Sequence, residues 1–133
     1  MKLRKTALVL SISAACGLLG IAQTLAGGEK VAFPTGFEKG TLYAVVDRHD
    51  NKQYRDLYAS PGVVESVRKG QGVPSGAVLT LVQYKAKADD KGNPLKDASG
   101  RFMKGDLVAY TVMEKRKGWG AEYANDLRNG EWE

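Results

Sequence analysis

From Ala77 to Met113 the chain runs twice through long stretches of strand formers, AVLTLVQY at Ala77–Tyr84 and LVAYTVM at Leu107–Met113. The segment between them is rich in Asp, Lys, Gly and Pro. Two such runs, joined by a connection too polar to bury, pair most simply as antiparallel neighbours in one sheet. In the first run Val78, Thr80, Val82 and Tyr84 alternate with Leu79, Leu81 and Gln83. Both sets are largely apolar, which predicts a strand covered on both sides.

The same reading extends in both directions. Thr41–Val46 and Gln53–Ala59 read as strands around the polar turn Asp47–Asn51. On the second of them Tyr54, Asp56 and Tyr58 share one face, and Arg55, Leu57 and Ala59 the other. Ser60 as N-cap and Pro61 at the first helical position open a short helix with the stripe Val63, Val64 and Val67. Arg68 and Lys69 suit its C-terminal dipole, and Gly70 stops it. Gly105-Asp106 reads as a turn before the long second run. Trp119–Tyr123 reads as a further short strand, and Trp132, after the Asn129-Gly130 turn, opens another strand or loop. Phe33 and Phe37 around Pro34 and Gly36 lay an N-terminal arm on the core. The expected fold is α+β: one mainly antiparallel sheet of about five strands with one or two short helices.

The first 26 residues read as a secretory leader, with Lys2, Arg4 and Lys5 before a run of apolar and small residues and a small-residue cleavage site at Thr24-Leu25-Ala26. The run is short and rich in Ala, Ser and Gly for a membrane anchor. Lipid attachment at Cys16 is the weaker alternative, because Ser13 stands where a large aliphatic residue is usual. The domain is then residues 27–133, exported to the periplasm and free of the membrane after cleavage. Cys16 is the only cysteine in the sequence and lies in the leader. No disulfide holds the domain, and its stability rests on packing. The leader carries three of the 20 basic residues and none of the 15 acidic ones. The domain is therefore only weakly basic, without the dense basic stripe of a nucleic-acid binder.

Catalytic patterns are scarce. With one histidine, His49, and no cysteine after the leader, no Cys/His metal set can form. His49 lies in a polar turn and reads as solvated. Asp89, Asp90 and Asp97 lack the ligand rhythm of a calcium loop. Gly70-Gln71-Gly72 follows a helix rather than opening one, so it is no phosphate loop. No Ser/His/Asp set is present.

Three features in combination carry a family resemblance: Arg55, Tyr58, Ala59 and Pro61 leading into a helix, Pro74 and Gly76 leading into a long strand, and Gly118-Trp119 after the charged cluster Glu114–Lys117. In this the chain resembles the cytochrome P-460 family of periplasmic haem proteins, over roughly Phe33 to Tyr123. The resemblance implies a c-type haem in a pocket walled by the sheet, usually in a homodimer. It also implies hydroxylamine oxidation, or the binding of nitric oxide and related small gaseous or nitrogen-oxide ligands. It places Arg55 on the open side of the iron, where a cation would contact a polar or anionic ligand; the other reading pairs Arg55 with a carboxylate such as Asp56 or Glu65.

The chain departs from the family in three places. Leu81 stands where hydroxylamine-oxidising members carry the lysine that cross-links to haem, and Lys85 is too far along the strand to replace it. Thr111 stands in place of an acidic residue that moves protons. The Cys-x-x-Cys-His attachment motif, downstream of the matching segment in the family, is not in the sequence. Arg55, Leu81 and Thr111 are thus the candidate cofactor-binding residues. The implied function is ligand binding or electron transfer rather than hydroxylamine oxidation. The expectation is a family member truncated at its C-terminus, with a haem-free periplasmic binding or dimerisation module as the alternative. A closed, dry pocket of even about 300 Å³ would cost roughly 7 kcal/mol, so an empty haem pocket should be collapsed, flooded with water, or filled by the missing segment.

Overall fold

The second strand ties the molecule together, pairing along its whole length on both edges. A computed structural model describes residues 30–133. The leader read over residues 1–26 lies outside them. Strands β1 (Thr41–Arg48), β2 (Gln53–Ala59), β3 (Val78–Ala86) and β4 (Lys104–Glu114) form one antiparallel sheet in the order β1-β2-β3-β4. A single helix, α1 (Val63–Arg68), lies between β2 and β3, and a 3-10 turn (Phe37–Lys39) precedes β1. The α+β reading holds, with four strands. Among the described residues no helix is long and apolar enough to cross a membrane.

Local chemistry accounts for each departure from expectation. Trp119–Tyr123 forms successive turns and no strand. Gly118 and Gly120 both take positive φ, which ends extended pairing. The Trp119 ring centre lies within reach of two cations, 5.7 Å from Lys30 Nζ and 5.8 Å from the Arg116 guanidinium. The outer edge of β4 is met instead by the C-terminal residues, as the opening at Trp132 suggests. Trp132 bridges Lys115, and Glu114 and Glu133 exchange backbone hydrogen bonds of 3.0 and 3.1 Å. Gly105-Asp106 is part of β4 rather than a turn. A Cβ at Gly105 would sit 2.7 Å from the Lys85 carbonyl oxygen, so glycine permits the close strand approach. The helix N-cap is Gly62, in left-handed geometry, rather than Ser60. The Ser60 hydroxyl accepts a hydrogen bond from the Val78 N–H (3.0 Å) and so joins the helix approach to β3.

The two faces of the sheet have different fates. Strand alternation puts Tyr54, Asp56 and Tyr58 on one face, opposite Tyr84, Val82 and Thr80 of β3. This inner face is covered by the N-terminal arm: Phe37 meets Tyr58 edge-on at 5.1 Å, and Phe33 meets Tyr110 at 5.1 Å. The long connection between β3 and β4 is anchored through Arg101 and Phe102, which both donate to the Asp47 carboxylate. Asp56 lies at the centre of this face, 1% exposed. Lys104 Nζ donates to its Oδ2 at 2.5 Å and stands 4.6 Å and 5.1 Å from the Tyr84 and Tyr54 ring centres. The other oxygen, Oδ1, is buried without a hydrogen-bond partner among the described residues. β3 is thus more deeply covered on one side: Thr80 and Val82 at its centre are buried, while Leu79 and Leu81 on the outer face are half-buried.

Lys104→Met leaves the Asp56 carboxylate buried and unpaired. Urea denaturation should show a loss of about 2–4 kcal/mol, discounted for the partial exposure of Lys104. The double variant Asp56→Leu/Lys104→Met should recover most of that loss. The Asp47 carboxyl is held below the usual carboxylate range, chiefly by the Arg101 hydrogen bond working against the cost of burial. Its contribution is therefore complete above the unfolded value, about pH 4, and is lost as pH falls through the lower folded value. Asp47→Asn should flatten the acid limb of a stability–pH curve and leave the slope above neutrality unchanged.

Candidate functional site

The outer face carries the candidate residues. In register, Arg55 opposes Gln83 and Val46, Leu57 opposes Leu81, and Leu81 opposes Thr111. Antiparallel partners share a face, so Arg55, Leu81 and Thr111 lie on the same side of the sheet. Leu81 and Thr111 line a concavity of about 150 Å³ with Tyr43, Leu57, Leu79 and Met113. Arg55 stands one alternation further along β2 and does not line it. A second hollow, about 290 Å³, opens between the sheet and α1, lined by Tyr43, Ala59, Val63, Val64, Val67, Arg68, Val73 and Leu79. Tyr43 and Leu79 belong to both hollows. The surface is open rather than sealed: Tyr43 is 44% and Val67 48% exposed. No dry cavity has to be maintained.

Tyr43 reaches this face through an irregularity. The β1–β2 register shifts between Leu42 and Ala44, which leaves Tyr43 as the extra residue. Burial against the apolar wall raises its hydroxyl pKa above the usual tyrosine value. The inner-face tyrosines Tyr54 and Tyr84 are raised for the same reason.

Arg55 is held by a neutral partner. Its Nε and Nη2 both donate to Gln53 Oε1, at 3.0 and 2.8 Å. Neither carboxylate suggested for it is engaged with it: Asp56 faces the other side and binds Lys104, and Glu65 pairs with Lys69. Among the described residues no carboxylate forms an ion pair with Arg55. A neutral tether fixes the guanidinium without cancelling its charge, so the field it projects across the outer face is intact. Thr111 is tied in the same neutral manner, its Oγ1 accepting from Gln83 Nε2 at 3.1 Å.

The family model for cytochrome P460 matches residues 34–133. The chain belongs to the cytochrome P460 family. That membership implies a haem cofactor, and the face can be judged against one. The wall suits a porphyrin: Leu57, Leu79, Leu81 and Met113 offer an apolar surface, and Tyr43 an aromatic one. The fastening groups are another matter. Among the described residues there is no cysteine, and His49 is the one histidine. His49 is exposed at the β1–β2 turn, its ring 4.7 Å from that of Phe102 on the inner side. No group of three or more His, Cys, Asp or Glu residues able to hold a metal occurs among the described residues. Residues 30–133 thus supply a wall for the ring, and neither the thioether sulfurs nor an axial imidazole. No curated protein matches the chain closely enough to count as a relative.

Sequence reasoning missed Tyr43 and Arg68. Arg68 could have been found, because it follows Val64 and Val67 on the helix stripe; Tyr43 depends on an irregularity that no pattern announces. Arg55→Gln should change thermal stability by no more than about 0.5 kcal/mol in a melting experiment, since it breaks only a half-exposed bond to Gln53. A large drop would show Arg55 to be structural.

Proposed function

We propose that the protein is an exported haem c protein of the periplasm, whose sheet walls one side of the haem and whose open side takes a small gaseous or nitrogen-oxide ligand. The observation that carries this reading is the grouping of an uncompensated Arg55 with Leu81 and Thr111 on the open apolar face of a cytochrome P460 domain. Covalent attachment would need two thioether sulfurs and an axial imidazole, which residues 30–133 do not supply. When bound, the haem supplies an iron site for one small ligand and a one-electron couple.

The chain's own residues then divide the work. Leu57, Leu79 and Leu81 exclude water from the ring face and strengthen every electrostatic interaction beside it. Arg55 presents N–H donors and a full positive charge to a polar or anionic ligand. Leu81 has no nucleophile with which to bond to the ring, and Thr111 offers a neutral hydroxyl where proton removal would require a carboxylate. These two substitutions favour ligand binding or electron transfer over hydroxylamine oxidation. A homodimer is part of the same proposal, by family resemblance, with sedimentation as its measure.

Expressed together with a Cys-x-x-Cys-His segment and cytochrome c maturation machinery, the protein should show a Soret band that shifts on adding nitric oxide. Arg55→Leu should weaken binding of an anionic ligand such as nitrite by about tenfold and leave nitric oxide affinity within a few-fold. A cooperatively folding protein with no Soret band would overturn the reading in favour of a haem-free binding or dimerisation module.

A further inference from the structure

The hollow beneath α1 is almost wholly apolar, and among the described residues Arg68 is the one charged residue that lines it. At about 290 Å³ it sits at the lower end of the range for ligand pockets, roughly 300–1,000 Å³. It is too small to hold a whole porphyrin and large enough for one edge of a ring or for a short alkyl chain. Its neighbour shares Tyr43 and Leu79 with it, so a larger ring would lie across both.

The charges around the hollow favour an anion. Arg68 is exposed at the C-terminal end of α1, and no carboxylate forms an ion pair with it among the described residues. Glu65, the acidic residue on the same helix, is directed to Lys69 at 3.4 Å. Among the described residues, no Asp or Glu lines either hollow of the outer face. Tyr43, its hydroxyl pKa raised by burial, stays neutral at physiological pH and does not repel a negative group.

We propose that Arg68 binds the carboxylate of an amphipathic ligand whose apolar body fills the hollow beneath α1. This extends the haem reading, in which that carboxylate is a porphyrin propionate; a free alkyl carboxylate has the same chemistry. Arg68 thereby fixes which edge of a ring points toward the helix, while Arg55 acts at a separate point of the same face.

Metal-free protoporphyrin IX tests this without depending on any iron ligand. Its fluorescence titration against the full chain gives a dissociation constant, repeated for Arg68→Gln, for Arg68→Lys and with the dimethyl ester of the porphyrin. Loss of a charge-assisted bond should raise the constant about tenfold or more in Arg68→Gln, and Arg68→Lys should restore part of it. The dimethyl ester should bind the parent and Arg68→Gln alike, and more weakly than the acid binds the parent. Decanoate that displaces porphyrin from the parent protein but not from Arg68→Gln assigns the hollow to alkyl carboxylates as well; failure to compete assigns it to the ring edge. Equal affinity of the parent and Arg68→Gln, equal affinity of acid and ester, or no porphyrin binding by a protein that melts cooperatively would each overturn the proposal. Should Arg68→Gln acquire haem and its Soret band as the parent does, the haem reading stands while the role of Arg68 falls.

Discussion

Asp56 is the carboxylate that this fold takes almost entirely out of water, and much of the architecture answers to it. Burying a charge is costly unless a counter-charge comes with it. Lys104 provides that charge from the far side of the sheet, reaching past β3 from the first residue of β4. The tyrosines on β2 and β3 complete the surroundings with the faces of their rings. The pair therefore does more than neutralise a charge: it fixes where the long β3–β4 connection must end, and Asp47 with Arg101 and Phe102 fixes its final turn. With the aromatic arm laid over the other end, the inner side of β2 and β3 is largely covered, while Leu107 and Tyr110 of β4 stay partly exposed.

What remains is the outer face, and its character follows from that division. The apolar residues left there are covered only at one end, by a helix of six residues. Among the described residues, Arg55 is tethered by the neutral Gln53, and Arg68 is in no ion pair. Natural proteins seldom leave an apolar wall and unmatched positive charges side by side without a use. Membership of the cytochrome P460 family implies a haem; in the proposed function its ring answers to the first and polar or anionic groups to the second.

The sequence displayed the strands well because their alternation is strict where both neighbours are present. The division of β2 into Tyr54, Asp56 and Tyr58 against Arg55, Leu57 and Ala59 could be read directly. It placed Arg55 and Leu81 on one face once the register was known. The partner of Asp56 could not be read, since Lys104 is remote in the chain and a lysine at the start of a strand carries no mark of its target. The assignment of Trp119–Tyr123 to a strand failed because aromatic and apolar content outweighed two glycines whose backbone angles forbid extension. Ser60 was misplaced as a cap for a related reason: Ser-Pro suits a helix start, yet its hydroxyl found a backbone donor on β3. Strand propensity also gave β3 two covered faces, although nothing within residues 30–133 covers the whole of the second.

The irregularity at Tyr43 has a consequence for how this domain can vary. Because β1 has one residue more than β2 there, everything beyond it is turned over relative to an uninterrupted strand. With that residue bulged out, Val46 lies opposite Arg55 and Asp47 opposite Tyr54. An in-frame loss of Tyr43 itself would close the irregularity and keep both pairings, removing only a ring that the two outer hollows share. Among descendants of this sequence, β1 can therefore shorten at this one position without moving the Asp47 anchor of the long loop.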